Sequence, residues 1–145
     1  MPLQRERVRI SFEVDPGPED RAAVADALLA HHEDLARAHC HRPFGVFLRD
    51  AAGSVVGGLV GKLWGPDLHV DQLWVSESLR RRGYATELLE RAERYALQQG
   101  CTTSFLNTVD PNAIPFYHRR GYLSMQTLRG FPAGLDLHFM RKPLS

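Results

Sequence analysis

Apolar and polar positions alternate along this chain with two different periods, and the switches between them lay out its elements. Val8, Ile10, Phe12 and Val14 alternate with polar neighbours, which predicts a half-buried strand. Asp15-Pro16-Gly17-Pro18 breaks that pattern. Glu19 and Asp20 then suit the first turn of a helix whose stripe is Val24, Leu28, His31 and Leu35, running toward His39. Phe44 to Leu48 and Ser54 to Leu63 read as two strands joined by the hairpin turn Asp50-Ala51-Ala52-Gly53. Gly57, Gly58 and Gly61 in the second of these mark a bulge or a close backbone approach. The turn Gly65-Pro66-Asp67 leads into a further strand, His69 to Val75.

The helical period returns in Ala85, Leu88, Leu89, Ala92, Tyr95 and Ala96, with Glu87–Arg91 and Glu90–Arg94 as i,i+4 pairs on the outer face and Gly100 as C-cap. Cys101 to Thr108 reads as a strand, with Cys101 a small core residue, and Ala113 to Arg120 as a short helix closed by Gly121. Tyr122 to Leu128 and Leu135 to Met140 form the last strands, joined through Gly130-Phe131-Pro132-Ala133-Gly134. A strand meander followed by β-α-β-α and a final hairpin predicts an α/β domain spanning residues 1–145, with one mixed sheet and helices on both faces.

Composition narrows the function more than the fold. With 145 residues, 43% hydrophobic and 24% charged, the chain suits one globular core. A formal net charge of +1 offers no general attraction to nucleic acid or to anionic membranes. No apolar run reaches the roughly 18 residues that span a bilayer. Met1 to Ile10 lacks the hydrophobic region of a signal peptide, and two cysteines, Cys40 and Cys101, are too few for a disulfide framework, so a cytoplasmic setting is expected. His31, His32, His39, Cys40 and His41 fit no zinc spacing, and no metal site is expected.

The stretch that carries chemistry runs from Leu68 to Gly100. It places the basic turn Arg80-Arg81-Arg82-Gly83-Tyr84-Ala85 between a strand and an amphipathic helix. Amides in the first turn of a helix lack intrahelical partners and sit at the positive end of its dipole, so this order of elements suits a phosphate or pyrophosphate. Two common phosphate loops are excluded. Gly61-Lys62 is followed by Leu63 rather than Ser or Thr, and the basic turn has a single glycine where a dinucleotide fingerprint needs three.

Arg80-x-x-Gly83-x-Ala85 after Leu73-Trp74-Val75 resembles the acetyl-CoA-binding motif of the GNAT superfamily of N-acetyltransferases. The segment from Asp110 to Tyr122, with its Ala113, Phe116-Tyr117 and Gly121-Tyr122, resembles that superfamily's second signature, and His138 to Leu144 its last strand. The resemblance covers nearly the whole chain. It implies a mostly antiparallel sheet of about six to seven strands and transfer of acetyl from acetyl-CoA to a primary amine of a small molecule or peptide. By the same resemblance, amides from Arg81 through Arg82, Gly83, Tyr84 and Ala85 to Thr86 would hold the CoA pyrophosphate, with Arg80 or Arg81 adding charge. Leu73, Trp74 and Val75 would pair with pantetheine, and Tyr117 would stand near the sulfur as proton donor to the leaving thiolate.

Asn112 matches a CoA-contacting position, and N-capping of the short helix explains it equally well. For the general base, Asp71 stands where several relatives carry a glutamate; the two-residue period puts it on one strand face with Leu73 and Val75, with His69 as runner-up on that same face. A non-catalytic acyl-CoA-binding sensor is the alternative from another class. The acceptor has no recognisable code in the first helix, the His39–Phe44 loop or the Gly130–Gly134 turn. A homodimer through edge strands or the C-terminal hairpin is a further expectation.

Overall fold

The computed structural model describes residues 7–36 and 41–145, so His39 and Cys40 lie outside the described residues. The chain divides into two compact units. The first contains the segment from Arg7 and helix α1 (Pro18–Ala36), which opens with Pro18 and places Glu19 and Asp20 in its first turn. Ala22, Ala23, Ala25, Ala27 and Ala30 give α1 strong intrinsic helix propensity. Its expected apolar stripe is not buried at Val24 or Leu28. The alternating segment that precedes it is not a strand. Val8, Ile10, Phe12 and Val14 are exposed, and no ladder pairs them. Alternation marks a strand only where a neighbouring strand supplies hydrogen bonds, and alternation alone does not provide one.

The second unit is built on a sheet of β1 (His41–Arg49), β2 (Val55–Trp64), β3 (Asp67–Val75), β4 (Thr103–Thr108), β5 (Leu123–Leu128) and β6 (Leu137–Pro143), in the order β1-β2-β3-β4-β6-β5. Among the described strands, β3 and β4 run parallel and the other neighbouring pairs are antiparallel. The β1–β2 hairpin turns as its sequence predicts. The Asp50 carboxylate accepts from the amides of Ala52 and Ser54, and Gly53 takes φ +84°. Helix α2 (Tyr84–Gln98) connects β3 to β4 and packs across β1, β2 and β3, and α3 (Ala113–Arg119) precedes β5. Gly100 (φ +90°) and Gly121 (φ +94°) end the two helices, as the sequence anticipates.

The core forms where the inner side of the sheet meets α2. Leu59, Leu63, Leu68, Val70, Leu106 and Met140 enclose Leu88, Leu89, Ala92 and Ala96, all buried, with Cys101 beside them. Of the two charge pairs expected on α2, Glu87–Arg91 closes at 2.8 Å, while Glu90 and Arg94 form no such bridge in the described structure.

One irregularity in the sheet reorders the site. Val60 pairs with Gln72 and Gly61 with Val70, leaving Asp71 as an extra residue on β3, a β-bulge. A Cβ on Gly61 would lie 2.6 Å from the His69 carbonyl oxygen, so only glycine admits the close approach of β3 there. The bulge shifts the phase of the strand: Leu68 and Val70 are buried before it, Val75 is buried and Leu73 half-buried after it. All four stand opposite the buried-face residues Leu63, Gly61, Gly57 and Leu59 of β2. The even alternation expected to place Asp71 and His69 with Leu73 and Val75 therefore fails. His69 pairs across to Lys62 and lies on the other face of the sheet.

Candidate functional site

A split in the sheet is the main architectural feature of the site. The parallel pairing of β3 with β4 is confined to Asp67–Thr103, Leu68–Ser104 and His69–Phe105. Beyond His69 no strand pairs with that edge of β3 among the described residues. The bulge at Asp71 lies just past the last paired residue, and a bulge bends and twists its strand, which gives the divergence a local cause. The edge of Leu73, Trp74 and Val75 is left open to receive an extended chain with amide groups, as an added strand would.

Two adjoining hollows follow that edge. The first, about 360 Å³, is lined by Leu73, Trp74, Val75, Arg80, Ala85, Asp110, Ala113, Phe116 and Tyr117. The second, about 410 Å³, is lined by Leu79, Arg80, Arg81, Gly83, Tyr84, Ala85 and Thr86, with Val75 and Phe116 shared and Arg119 and Arg120 on the far wall. The turn that floors it has unusual backbone. Arg81 (φ +64°) and Gly83 (φ +84°) both adopt left-handed conformations, and Gly83 is the N-cap of α2. Nothing lies within 4 Å of where a Gly83 Cβ would be, so the glycine is required by its φ and the space above it is free for a ligand. The Glu87 amide donates to the Gly83 carbonyl, so the amides of Tyr84, Ala85 and Thr86 come before the first of these helical bonds.

The arginines are not equivalent. Arg80 Nε donates to the Val75 carbonyl at 2.9 Å, which fixes the turn to the strand end. Arg82 is exposed and lines neither hollow. Arg119 and Arg120, absent from the binding residues expected from the turn motif, complete the basic wall. Arg120 donates to Thr86 Oγ1 from Nε (3.2 Å) and Nη2 (2.6 Å) and lies 5.3 Å over the Phe116 ring. With Arg80 and Arg81 it gives the hollow guanidinium groups from two separate segments, a donor set suited to phosphate. The signal was the Arg119-Arg120-Gly121 end of the second motif, where basic residues close a short helix.

Tyr117 projects from α3 into the first hollow and is buried, in edge contact with Phe116 (5.2 Å) and Tyr122 (5.6 Å). Burial, with the Asp110 carboxylate adding to it, pushes its phenol up to about 12. It is therefore protonated throughout the neutral range and able to donate a hydrogen bond. Tyr122 behind it belongs to a buried polar network. Its hydroxyl meets Ser104 Oγ at 2.7 Å and donates to Glu93 at 3.1 Å, while Lys142 Nζ donates to Glu93 at 2.7 Å. Asn112 is exposed, lines neither hollow and makes no side-chain cap; its amide donates to Asp110 Oδ1 instead, so the capping role falls to Asp110.

On the other face of the sheet, His69 Nδ1 stands 2.9 Å from Asp71 Oδ1, and Lys62 Nζ lies 3.5 Å from the same oxygen. The His69 ring stacks on Phe105, with centroids 4.4 Å apart and an interplanar angle of 1°. His69 and Asp71 line neither hollow; they lie together near the point where β3 and β4 part. Among the described residues no group of three or more His, Cys, Asp and Glu side chains could hold a metal ion, and no helix is long and apolar enough to cross a membrane.

Comparison with known proteins gives this geometry a context. Residues 8–122 match the model of the acetyltransferase (GNAT) family. An acetyltransferase of Agrobacterium fabrum is 31% identical over 124 residues, covering 86% of this chain and 90% of the relative. The blasticidin-S acetyltransferase of Streptomyces morookaense is 37% identical over 107 residues, covering 71% of this chain and 79% of the relative. The crystal structure of an Agrobacterium tumefaciens protein assigned as an acetyltransferase superposes with a TM-score of 0.83 at 28% identity, covering 94% of this chain and 99% of the other.

Proposed function

Because the chain belongs to the GNAT family of acetyltransferases, we propose that acetyl-CoA binds along the split between β3 and β4 and that its acetyl group passes to a primary amine of a small molecule or peptide. The observation that carries this reading is the coincidence of an unpaired strand edge, a left-handed glycine turn at the start of α2 and a buried tyrosine on one cleft. Main-chain groups of Leu73, Trp74 and Val75 would hold the pantetheine amides. The amides from Arg81 to Thr86 would hold the pyrophosphate, with Arg80, Arg81, Arg119 and Arg120 neutralising its charge.

The amine attacks the thioester carbonyl directly. A nitrogen–carbon bond forms, the carbon–sulfur bond breaks, and a proton leaves the nitrogen for a base on the His69–Asp71 side of the sheet. Tyr117 donates a hydrogen bond to the sulfur as negative charge develops there. Full transfer of its proton to a thiolate is uphill, because an ordinary thiol titrates near 8.5 whereas this phenol is held at about 12. Its contribution is therefore electrostatic, with solvent supplying the proton the thiol finally carries.

The test is a thiol-release assay over a panel of amines, with product mass analysis. Blasticidin S belongs in the panel because a relative acts on it by name. Acetyl-CoA-dependent formation of an N-acetyl product supports the reading. CoA binding with no transfer to any amine would instead fit a binding module.

A further inference from the structure

The sequence puts Asp71 first and His69 second as the group that takes the proton from the amine, and the geometry divides the task between them differently. Asp71 Oδ1 already accepts from His69 Nδ1 at 2.9 Å and faces Lys62 Nζ at 3.5 Å. With Nδ1 as donor, the lone pair of His69 is left on Nε2. The ring plane is fixed by the Phe105 stack, and its side chain keeps 22% of its surface exposed, enough to exchange a proton with solvent. We infer that His69 Nε2 is the catalytic base of the amine deprotonation, and that Asp71, held by Lys62, is the positioning residue that sets its tautomer and orientation.

The inference rests on the acetyl-transfer reading above. His69 sits at the last paired position of β3, roughly 12 Å along the strand from Leu73, so a chain running along the open edge toward the end of the split approaches it. As the nitrogen–carbon bond forms, one proton moves from the attacking amine nitrogen to Nε2, the imidazolium that results is paired with Asp71, and solvent takes the proton on. Burial lowers the pKa of His69 below its ordinary value, Lys62 and His41 act in the same direction, and Asp71 opposes them, so the ring is neutral and able to accept at pH 7.

The experiment combines kinetics with nitrogen-15 NMR of the imidazole in the free protein. In the wild type, His69 is expected as the Nδ1–H tautomer, and Asp71→Ala should move it toward Nε2–H. In the pH profile of kcat/KM, His69→Gln should lose about 10²-fold with CoA affinity within about threefold of wild type. The two neighbours should move the acid limb in opposite directions. Asp71→Asn removes the group that raises the His69 pKa and shifts the limb to lower pH, whereas Lys62→Gln removes one that lowers it and shifts the limb upward. A wild-type Nε2–H tautomer, or near-normal turnover in His69→Gln while the wild type transfers acetyl efficiently, overturns the assignment alone. No transfer to any amine by the wild type overturns the acetyl-transfer reading and this assignment with it, whatever the tautomer.

Discussion

Tyr117 and Gly83 act on different parts of the cleft, the first beside the expected position of the sulfur and the second at the turn that begins α2. Replacing Tyr117 by Phe keeps the ring contacts with Phe116 and Tyr122 and removes only the donor. Turnover should fall about 10²-fold, in the range of one lost transition-state hydrogen bond, with the CoA dissociation constant changed by less than about threefold. Steady-state kinetics and calorimetry separate the two, and unchanged turnover would remove Tyr117 from the reaction. Gly83→Ala acts through the backbone, since no atom lies within 4 Å of the new methyl group but φ is +84°. A cost of about 1 kcal/mol in unfolding free energy is expected, together with weaker CoA binding as the turn relaxes. The turn and Tyr117 were legible in the sequence because glycine at a helix start and an aromatic in a recurring motif are local signals. The positions of Asp71 and His69 were not. A two-residue period cannot register a bulge, and the bulge at Asp71 put both on the opposite face from Leu73 and Val75.

Among the elements, α2 and the strands it covers depend on a buried charge. Glu93 accepts from Lys142 at 2.7 Å and from Tyr122 at 3.1 Å, joining α2 to β6 and to the residue before β5. Glu93→Ala leaves the Lys142 ammonium, with its side chain only 24% exposed, without its carboxylate. A loss of about 3 kcal/mol is expected, and Lys142→Met in the same chain should recover part of it, as a double-mutant cycle in urea would measure. The tyrosines behind the cleft add a pH dependence. Tyr117 titrates near 10 when unfolded and at about 12 when folded, and burial beside Glu93 raises Tyr122 as well. Between those values the unfolded chain loses protons that the folded chain keeps, so stability is full below pH 10 and falls as pH rises toward 12. Tyr117 alone accounts for at most about 2.7 kcal/mol. Urea midpoints at pH 9.5 and 11.5 measure that fall, and equal midpoints would contradict the buried, protonated state. None of this network shows a sequence signal, because Glu93, Ser104 and Lys142 belong to three elements and Tyr122 to the turn before β5. The strand expected at Val8–Val14 failed for a related reason: alternation specifies a face without supplying a partner for it.

For the whole molecule, the order of elements from α1 onward was readable because glycine and proline punctuate it. The split itself was not readable, since it arises from a strand pairing that stops after three residue pairs. With CoA proposed to lie in that split, its binding must stabilise the fold by mass action. At a hundredfold excess over its dissociation constant, CoA should add about 2.7 kcal/mol and raise Tm by several degrees. Amide hydrogen exchange with and without CoA locates the bound cofactor along the chain. With CoA in the split, exchange should slow at Leu73–Val75 and at Arg81–Thr86, with little change along β1 beside α2. Protection that appears instead around Val46, Phe47 and Leu48, where a smaller hollow of about 220 Å³ lies against α2, would contradict that placement.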